Sequence, residues 1–417
     1  MGKLCRFLDA SPSMYHAIEN LQAQFAAAGY TKLSEKEDWA LVPGGKYCLS
    51  RGGSAFVAFQ IPAAPAGFAV AAAHSDRPCL KVKEDLFSGG DYTRLSVETY
   101  GGLIMSTWLD RPLSIAGRVF VETESGVESR LVNIDRDIAL IPNVAIHMNR
   151  EVKTGYKWNP ATDLQPLLGG KDAGEKLKAL LEQAAGGKIV SHDLYLYVRE
   201  KAKVWGIDDA FISAPALDDL VCVWAAAEGL LAAENPKSVP VLCVFDSEEV
   251  GSCSAQGADS TLLTDVLARI CKALGLNKRK MYANSFLLSA DNAHAIHPNH
   301  PEYADANNAP VLNGGIVLKF NADLRYTTDG ASAAVVRHLC KEAGITAQSY
   351  YNRADIKGGS TLGHISAGHL SVSAADIGLA QLAMHSSYET AGSRDAADMV
   401  ALLKAYFAGY TSEIVRI

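Results

Sequence analysis

The sequence predicts an α/β protein whose mixed sheet, flanked by helices, is interrupted by an inserted β-rich domain. Apolar runs typical of buried strands alternate with helical patterns over residues 1–85 and again from residue 209 onward. Between them, residues 86–208 contain short strand-like pieces separated by turn residues, which is typical of a β-rich module. We therefore expect an α/β domain formed by residues 1–85 and 209–417, and an inserted domain formed by residues 86–208.

The first half of the chain predicts these elements in order. MGKLCRFLDASPSMYHAIENL has an amphipathic helical pattern and lacks the apolar core of a signal peptide. SAFVAFQIP alternates as a strand does, and GFAVAAAHSD is an apolar strand with His74 at its end. In the inserted part, one helix is predicted, AGEKLKALLEQAA. The strand-like pieces there are RLSVETY, GGLIMSTWL, LSIAGRVFVET, SRLVNI and DLYLYVRE.

The α/β pattern returns at Phe211 and continues to the end of the chain. Asp218 lies at the start of an apolar helix, LDDLVCVWAAAEGLLAA. The predicted strands that follow are VPVLCVF, SFLLSAD, IVLKFNADLR and LSVSAADIG. The predicted helices are DVLARICKAL, AAVVRHLCKEAG and AADMVALLKAYFAGY.

Composition indicates a folded protein that binds neither nucleic acid nor membrane. Of 417 residues, 48% are hydrophobic and 20% charged, and the net charge of −7 argues against a general nucleic-acid surface. No apolar stretch approaches the roughly 20 residues that cross a bilayer. The eight cysteines form no CxxC pair, so we expect thiols in a reducing, cytoplasmic compartment. Five of them have mainly apolar neighbours: Cys48, Cys222, Cys243, Cys271 and Cys340.

The pair Glu248–Glu249 is the strongest functional signal in the sequence. It follows the apolar run VPVLCVF, where a buried strand is expected to end. In open α/β sheets, functional groups gather beyond the carboxyl ends of strands. Two adjacent carboxylates at such a place repel each other unless a positive group, commonly a metal ion, compensates them.

Four other residues occur in similar contexts: His74, Asp218, Asp291 and His385. Imidazole and carboxylate ligands in this mixture suit zinc, and cobalt or manganese accept the same ligands. Each residue also has an ordinary structural interpretation, as a hydrogen-bonded buried histidine, a helix N-cap or an Asx turn. Their combination at predicted strand ends favours a two-metal site, in which one of the paired glutamates is a ligand and the other a base.

Asp76 lies two residues after His74, in HSD. A carboxylate at this spacing could orient a ligand imidazole by accepting a hydrogen bond from its other nitrogen. A turn-forming aspartate is the alternative.

The chain resembles the aspartyl aminopeptidase family of dinuclear zinc metallopeptidases, of the tetrahedral aminopeptidase type. The resemblance covers nearly the whole chain and implies a zinc-exopeptidase-like fold with an inserted dimerisation domain. The segments that carry it are AAAHSDRPCLKVK, YGGLIMSTWLDRPLSIAGRV, ISAPALDDL, FDSEEVGSCSAQGA, LSADNAHAIHPNH, NGGIVLKFNADLRYTTD, GGSTLGHISAGHL and DIGLAQLAMHSSYETAG.

The resemblance implies which side chains hold the two metal ions. Asp218 would bridge both ions. His74 and Asp291 would complete the coordination of one ion, and Glu249 and His385 that of the other.

The same resemblance implies three further roles. Glu248 would be the general base. His147, in NVAIHMNR, would enter the active site of a partner subunit and stabilise the oxyanion. Lys319, in IVLKFN, would meet an acidic side chain at the N-terminal position of the substrate. An ammonium in an apolar strand needs such a partner, since burying it unpaired is costly. Its alternative is an edge-strand lysine that points to solvent.

Three residues depart from the family pattern: Arg77 in HSDRP, His364 in GSTLGH and Tyr388 in HSSYE. None of these departures removes a ligand. We expect all three to lie close enough to the metals to alter substrate preference.

These observations predict a metalloaminopeptidase that removes N-terminal residues, mainly Asp or Glu, from short peptides. The resemblance also implies a homododecamer built from dimers. The nearer alternative is another dinuclear hydrolase, such as an N-acyl amino acid deacylase or a carboxypeptidase-like enzyme. The more distant alternative is an inactive shell or binding protein that keeps the assembly without the chemistry.

Overall fold

A computed structural model describes residues 1–414, so the last three residues of the predicted 209–417 segment lie outside the described residues. The α-helices are α1 (Gly2–Asp9), α2 (Met14–Ala27), α3 (Pro160–Asp163), α4 (Ala173–Ala185), α5 (Leu217–Leu231), α6 (Leu262–Ala273), α7 (Lys278–Ala283), α8 (Gly330–Ala343), α9 (Leu362–Leu370) and α10 (Asp395–Gly409).

The strands of the first half are β1 (Thr31–Lys32), β2 (Lys46–Arg51), β3 (Ala55–Gln60), β4 (Phe68–His74), β5 (Cys79–Ser88), β6 (Thr93–Tyr100), β7 (Leu113–Thr123), β8 (Gly126–Asn133), β9 (Leu167–Gly169) and β10 (Ile189–Val198). Those of the second half are β11 (Lys203–Trp205), β12 (Phe211–Ala214), β13 (Val239–Phe245), β14 (Phe286–Ala290), β15 (Ala293–His294), β16 (Ile316–Phe320), β17 (Ala347–Tyr351), β18 (Ser373–Gly378), β19 (Ala380–Leu382) and β20 (Glu389–Gly392).

The main sheet has nine strands in the order β1-β2-β3-β13-β4-β14-β18-β16-β17. Its centre is parallel, because β4 pairs in parallel with both β13 and β14, and β14 pairs in parallel with β18. The pairings of β3 with β13 and of β16 with β18 are antiparallel, so the sheet is mixed. The predicted α/β class with a mixed sheet is therefore confirmed.

Helices cover both faces of the main sheet. In β4, Ala69, Ala71 and Ala73 belong to the core that also contains side chains of α1, α2, α5, α8 and α10. The alternate residues Val70 and Ala72 belong to a second core, which contains side chains of α6, α7 and α9. Burial on both faces explains why the central strands are continuous apolar runs in the sequence.

Two smaller sheets accompany the main one. The second sheet has six strands in the order β8-β7-β10-β5-β6-β9, and its pairings are antiparallel. It has its own apolar core, to which Leu177 and Leu181 of α4 contribute. The third sheet has five strands in the order β11-β12-β20-β19-β15. It carries the segment between β19 and β20, where His385 lies.

Most elements form where the sequence predicts them. The apolar run VPVLCVF is β13, and AGEKLKALLEQAA is α4. The prediction of a strand-like piece in GGLIMSTWL is wrong, since Met105–Trp108 forms a 3-10 helix. The backbone N–H of Ile104 donates to the carbonyl of His385 instead of joining a ladder. Helix α9 was not predicted, because its Gly- and Ser-containing segment has no clear helical period.

Within residues 1–414, no helix has both the length and the hydropathy needed to cross a membrane.

Helices α5 and α10 approach each other closely at Gly229. A Cβ atom on Gly229 would lie 2.8 Å from the Cβ of Leu403 and 3.0 Å from the backbone nitrogen of Lys404. Because interiors are packed at crystal-like density, one added methyl group must displace α10 or distort α5. Glycine is therefore required here for packing, even though it lowers the intrinsic stability of a helix.

We expect Gly229→Ala to lower the free energy of unfolding by about 1–3 kcal/mol, because it overpacks this helix contact. Urea unfolding followed by circular dichroism measures the change. Gly368→Ala is the matched control, since Gly368 lies in α9 with no atom within 4 Å of an added Cβ. The control should be neutral or stabilising by up to about 1 kcal/mol. A Gly229→Ala protein as stable as the parent would contradict the prediction.

Candidate metal centre

Three parallel strands bring chemically active side chains to one edge of the main sheet. Strand β4 ends at His74, which lies opposite Phe245, the last residue of β13. Glu248 and Glu249 follow β13 in a short 3-10 helix, and Asp291 directly follows β14. Because these strands run in the same direction, their carboxyl ends meet at this edge.

Asp218 and His385 reach the same place from other elements. Asp218 lies in the first turn of α5 with a non-helical ψ of 106°. His385 lies between β19 and β20 with a φ of 67°, and Ser247, just before the glutamate pair, has a φ of 65°. Positive φ is uncommon for residues other than glycine and tends to cluster at functional sites.

These side chains form overlapping groups that could hold metal ions. One group is His74, Asp218 and Asp291, and another is Asp218, Glu249 and His385; the ligand atoms within each lie within 4.8 Å of one another. The structure also groups His74 with both glutamates, Glu248 and Glu249. Asp218 belongs to the first two groups, so it lies between two candidate metal positions.

Distances within the cluster place Asp218 at its centre. Its Oδ1 is 3.6 Å from Nε2 of His74, and its Oδ2 is 3.8 Å from Nε2 of His385. The same His385 nitrogen is 3.4 Å from Oε2 of Glu249. Oδ1 of Asp218 is buried and has no hydrogen-bond partner among the described residues. A buried carboxylate oxygen needs a partner, and a cation satisfies this need.

The cluster lines a cavity of about 460 Å³. All the side chains predicted as metal ligands line it, together with Glu248 and Lys319. The cavity also includes residues that the sequence analysis did not select: Gly251, Asn292, Ala293, His294, Tyr326, Tyr350, Gly359, Ser360, Thr361 and Met384. Such a size suits a small ligand or the end of a peptide.

Burial makes the ionised forms of these acids costly. It raises the pKa of Glu248 to about 8 and raises the pKa of Glu249 well above its ordinary value, and neighbouring carboxylates add to both shifts. Burial likewise raises the pKa of Asp291. A divalent cation among these groups would remove the penalty and keep the carboxylates ionised. The donor set therefore fits a metal.

Asp76 is fully buried behind the cluster and contacts several of its members. Its Oδ1 lies 3.4 Å from Nδ1 of His74 and accepts the backbone N–H of Glu248 at 3.1 Å. Its Oδ2 accepts the backbone N–H of Glu249 at 3.1 Å and the hydroxyl of Tyr100 at 2.9 Å. The backbone carbonyl of Asp76 is 3.2 Å from the same Nδ1 of His74, so Asp76 orients this imidazole through its carbonyl as well as its carboxylate, and the carboxylate holds the backbone of both glutamates.

Residues that follow β6 of the second sheet support the loop that carries His385. The Nδ1 atom of His385 is 3.0 Å from the carbonyl of Gly102, so Nε2 remains directed at Asp218 and Glu249. The hydroxyl of Ser387 donates to the carbonyl of Thr107 at 2.6 Å. These contacts explain why the GGLIMSTWL segment is not a strand.

Lys319 is 1% exposed and lies on β16, between β18 and β17 in the main sheet. The alternative of an edge-strand lysine that points to solvent is therefore wrong. Its Nζ is 3.6 Å from Oδ2 of Asp291, donates to the carbonyl of Asn292, and lies over the ring of Tyr326. Burial works to lower the pKa of Lys319, but Asp291 and its neighbours outweigh this and raise it.

His147 does not line the cavity of its own chain. It is exposed, in the segment between β8 and α3. Its neighbours Val144, Ile146 and Met148 are 53%, 39% and 82% exposed, respectively. Three uncovered apolar side chains around one histidine are unusual for a free surface and typical of an interface.

None of the three departures is among the residues that line the cavity, and their effect on substrate preference stays a prediction. The guanidinium of Arg77 donates to the carbonyls of Ser11 and Pro12. Nδ1 of His364 pairs with the carbonyl of Thr361, and the hydroxyl of Tyr388 donates to the carbonyl of Lys201. Each polar group is engaged with a backbone carbonyl, and for His364 that carbonyl belongs to Thr361, which lines the cavity.

The structure also reveals supporting residues that sequence reasoning missed. Glu389, which begins β20, is buried and accepts backbone N–H groups from both Asp218 and His385. Asn292 donates to the carbonyl of Leu217. Both residues stand near predicted ligands, four after His385 and one after Asp291, and that proximity was the only signal available.

Comparisons with known proteins identify the family of this chain. The family described as "Aminopeptidase I zinc metalloprotease (M18)" matches residues 7–407. A probable M18 family aminopeptidase 2 of Clostridium acetobutylicum is 40% identical over 410 residues, covering 94% of this chain and 95% of the relative. Its counterpart in Pseudomonas entomophila is 40% identical over 417 residues, covering 97% of each chain.

Solved structures extend the likeness to three dimensions. A chain of the Ape4 and Nbr1 complex is 37% identical with a TM-score of 0.94; the match covers 97% of this chain and 84% of that one. The S. cerevisiae mApe1 dodecamer is 27% identical with a TM-score of 0.86, covering 97% of this chain and 95% of that one. The predicted fold and family resemblance are confirmed, and the chain belongs to the M18 family of zinc metalloproteases, the aminopeptidase I family.

Proposed function

We propose that this M18 aminopeptidase uses two divalent metal ions to remove acidic N-terminal residues from short peptides. The observation that carries the proposal is one cavity holding two overlapping ligand groups that share Asp218, with Glu248 beside them and a buried lysine at the same wall. The shared carboxylate supports two ions, the second glutamate supports a base, and the lysine supports acidic specificity.

Five side chains would hold the ions. His74 and Asp291 would complete one site and Glu249 and His385 the other, with Asp218 common to both. Their nitrogen and carboxylate donors suit zinc, and cobalt and manganese accept the same set. When bound, the ions would polarise the scissile carbonyl and lower the pKa of a water nucleophile.

Glu248 would act as the general base and then the general acid. The carboxylate takes a proton from the attacking water and passes it to the leaving amine. Its backbone N–H is held by Asp76, so the side chain is presented to the cavity from a fixed position. Fixed placement matters because proton transfer needs hydrogen-bond reach.

Lys319 would recognise the carboxylate of an N-terminal Asp or Glu. Its ammonium lines the cavity and is held by Asp291 and by the carbonyl of Asn292. A buried ammonium attracts a carboxylate more strongly than an exposed one, since water screens it less.

Self-association would complete the site. We propose that residues 86–208 form a dimerisation domain, distinct from the catalytic domain of residues 1–85 and 209–417. The exposed apolar side chains around His147 support an interface at this segment. His147 would then enter the partner's cavity and donate a hydrogen bond to the oxyanion. A homododecamer of such dimers is proposed by analogy with the mApe1 dodecamer.

A reducing, cytoplasmic location is proposed from the cysteines. All eight are free thiols in the structure, and six are buried. Buried cysteines act as small core residues, so an oxidising compartment has no role in stabilising this fold.

Glu248→Gln is expected to lower kcat by about 100-fold or more, because the amide cannot accept the proton of the water. Bound zinc, measured by atomic absorption, should remain near the parental level. The adjacent Glu249→Gln is the matched comparison, and its main effect should be loss of bound metal. A Glu248→Gln enzyme with near-parental kcat would rule out the base assignment.

Lys319→Met is expected to lower kcat/KM for Asp- and Glu-initiated chromogenic substrates at least about tenfold more than for Leu-initiated ones, because the charge partner is lost. The panel is run with and without a chelator, which should abolish hydrolysis in each case. Lys203→Met, which changes an exposed lysine on edge strand β11, is the control. Equal losses on acidic and neutral substrates would refute the specificity role.

His147→Ala alone is expected to lower kcat by about 100-fold or more, because an oxyanion donor is lost. Co-expression of His147→Ala chains with Glu248→Gln chains should restore about a quarter of parental activity, since half of random dimers are mixed and each mixed dimer has one intact site. Co-expression of two differently tagged Glu248→Gln chains is the control and should remain inactive. No recovery in the mixed sample would show that His147 does not act across subunits.

A further inference from the structure

We propose that Glu389 is a positioning residue that fixes the backbone of two proposed metal ligands, Asp218 and His385, from behind the metal centre. Its Oε2 accepts the N–H of Asp218 at 3.0 Å, and its Oε1 accepts the N–H of His385 at 2.8 Å. One carboxylate thus joins the start of α5 to the loop between β19 and β20.

The two backbone N–H groups have few other partners within reach. Asp218 lies in the first turn of α5, where backbone N–H groups have no carbonyl within the helix to bind. His385 has positive φ and lies between two strands, outside the ladder of either. Glu389 is 2% exposed, so water does not substitute for it freely. The carboxylate is therefore the group that holds these two backbones in place.

The two hydrogen bonds that Glu389 accepts do not by themselves explain why a carboxylate is buried here. Burial beside Asp218 is electrostatically unfavourable, because two like charges meet in a medium of low polarity. A cation held by Asp218 and His385 would reverse the sign of that interaction. Arg77 lines the same narrow cavity as Glu389 and adds positive charge there. The positive charge of a bound cation and of Arg77 would thus offset the electrostatic cost of burying the Glu389 carboxylate. This offset is available only beside the metal centre, where the ligands must also be held in place.

Asp395 provides an internal comparison. It is fully buried and accepts the backbone N–H of Asn313 at 2.7 Å and that of Gly315 at 3.0 Å. Asp395 therefore makes the same kind of contacts as Glu389, but the backbones that it holds do not belong to proposed metal ligands. Substitution at the two positions separates a structural effect from an effect on the metal ligands.

The test compares full-length Glu389→Gln and Asp395→Asn with the parent. Zinc affinity is measured by competition with a chromogenic chelator, cobalt coordination by visible absorption, and the Tm of the metal-free protein by calorimetry. Glu389→Gln should weaken zinc binding by about 10- to 100-fold and alter the cobalt spectrum, as loss of an outer-shell partner does. Asp395→Asn should lower the Tm while keeping zinc affinity within about twofold of the parent.

Zinc affinity of Glu389→Gln within about twofold of the parent, with a Tm lowered as in the control, would overturn the proposal. If Glu389→Gln does not fold, Glu389→Asp retains the charge on a shorter side chain and should show a smaller loss of affinity. The inference rests on the proposed metal centre but not on the substrate. Loss of zinc affinity without any peptidase activity in the parent would support the positioning role and refute only the proposed substrate.

Discussion

Mutual repulsion among buried carboxylates at one edge of the main sheet is the constraint on which the rest of the site depends. Asp218, Glu249 and Asp291 lie within a few ångströms of two imidazoles, and burial raises the pKa of Glu249 and Asp291. Such a cluster stays ionised only when positive charge is supplied. Zinc fits the donors, and membership of a zinc metalloprotease family agrees with that chemistry.

Backbone groups of the acidic cluster are held by a second set of carboxylates. Asp76 accepts the N–H groups of Glu248 and Glu249, and Glu389 accepts those of Asp218 and His385. Because Asp76 and Glu389 bind the backbone N–H groups of the cluster, the side chains of the cluster remain free to face the cavity. The second sheet takes part as well, since the hydroxyl of Tyr100 reaches Asp76. The ligand geometry therefore depends on packing between sheets as well as on the strands that carry the ligands.

The sequence predicted the site residues that directly follow an apolar run typical of a buried strand. Glu249 and Asp291 follow apolar runs, so their place at a strand end could be predicted. Glu389 was missed, because a carboxylate that binds backbone N–H groups leaves no periodic signal, and its position four residues after His385 was the only one available. The contacts of Arg77 could not be predicted for a related reason, since the carbonyls that accept its hydrogen bonds lie 65 and 66 residues away in the chain. Contacts between residues so far apart in the chain depend on how the elements pack, which the local sequence pattern does not indicate.

The order of the site residues along the chain has a consequence for synthesis on the ribosome. Proposed ligands run from His74, on the fourth strand, to His385, which lies beyond the nineteenth. A nascent chain that lacks the last of them carries the acids without a complete metal site, even when its early strands have formed. A complete set of the proposed ligands would therefore require the third sheet, which carries the segment with His385, to have formed beside the main sheet.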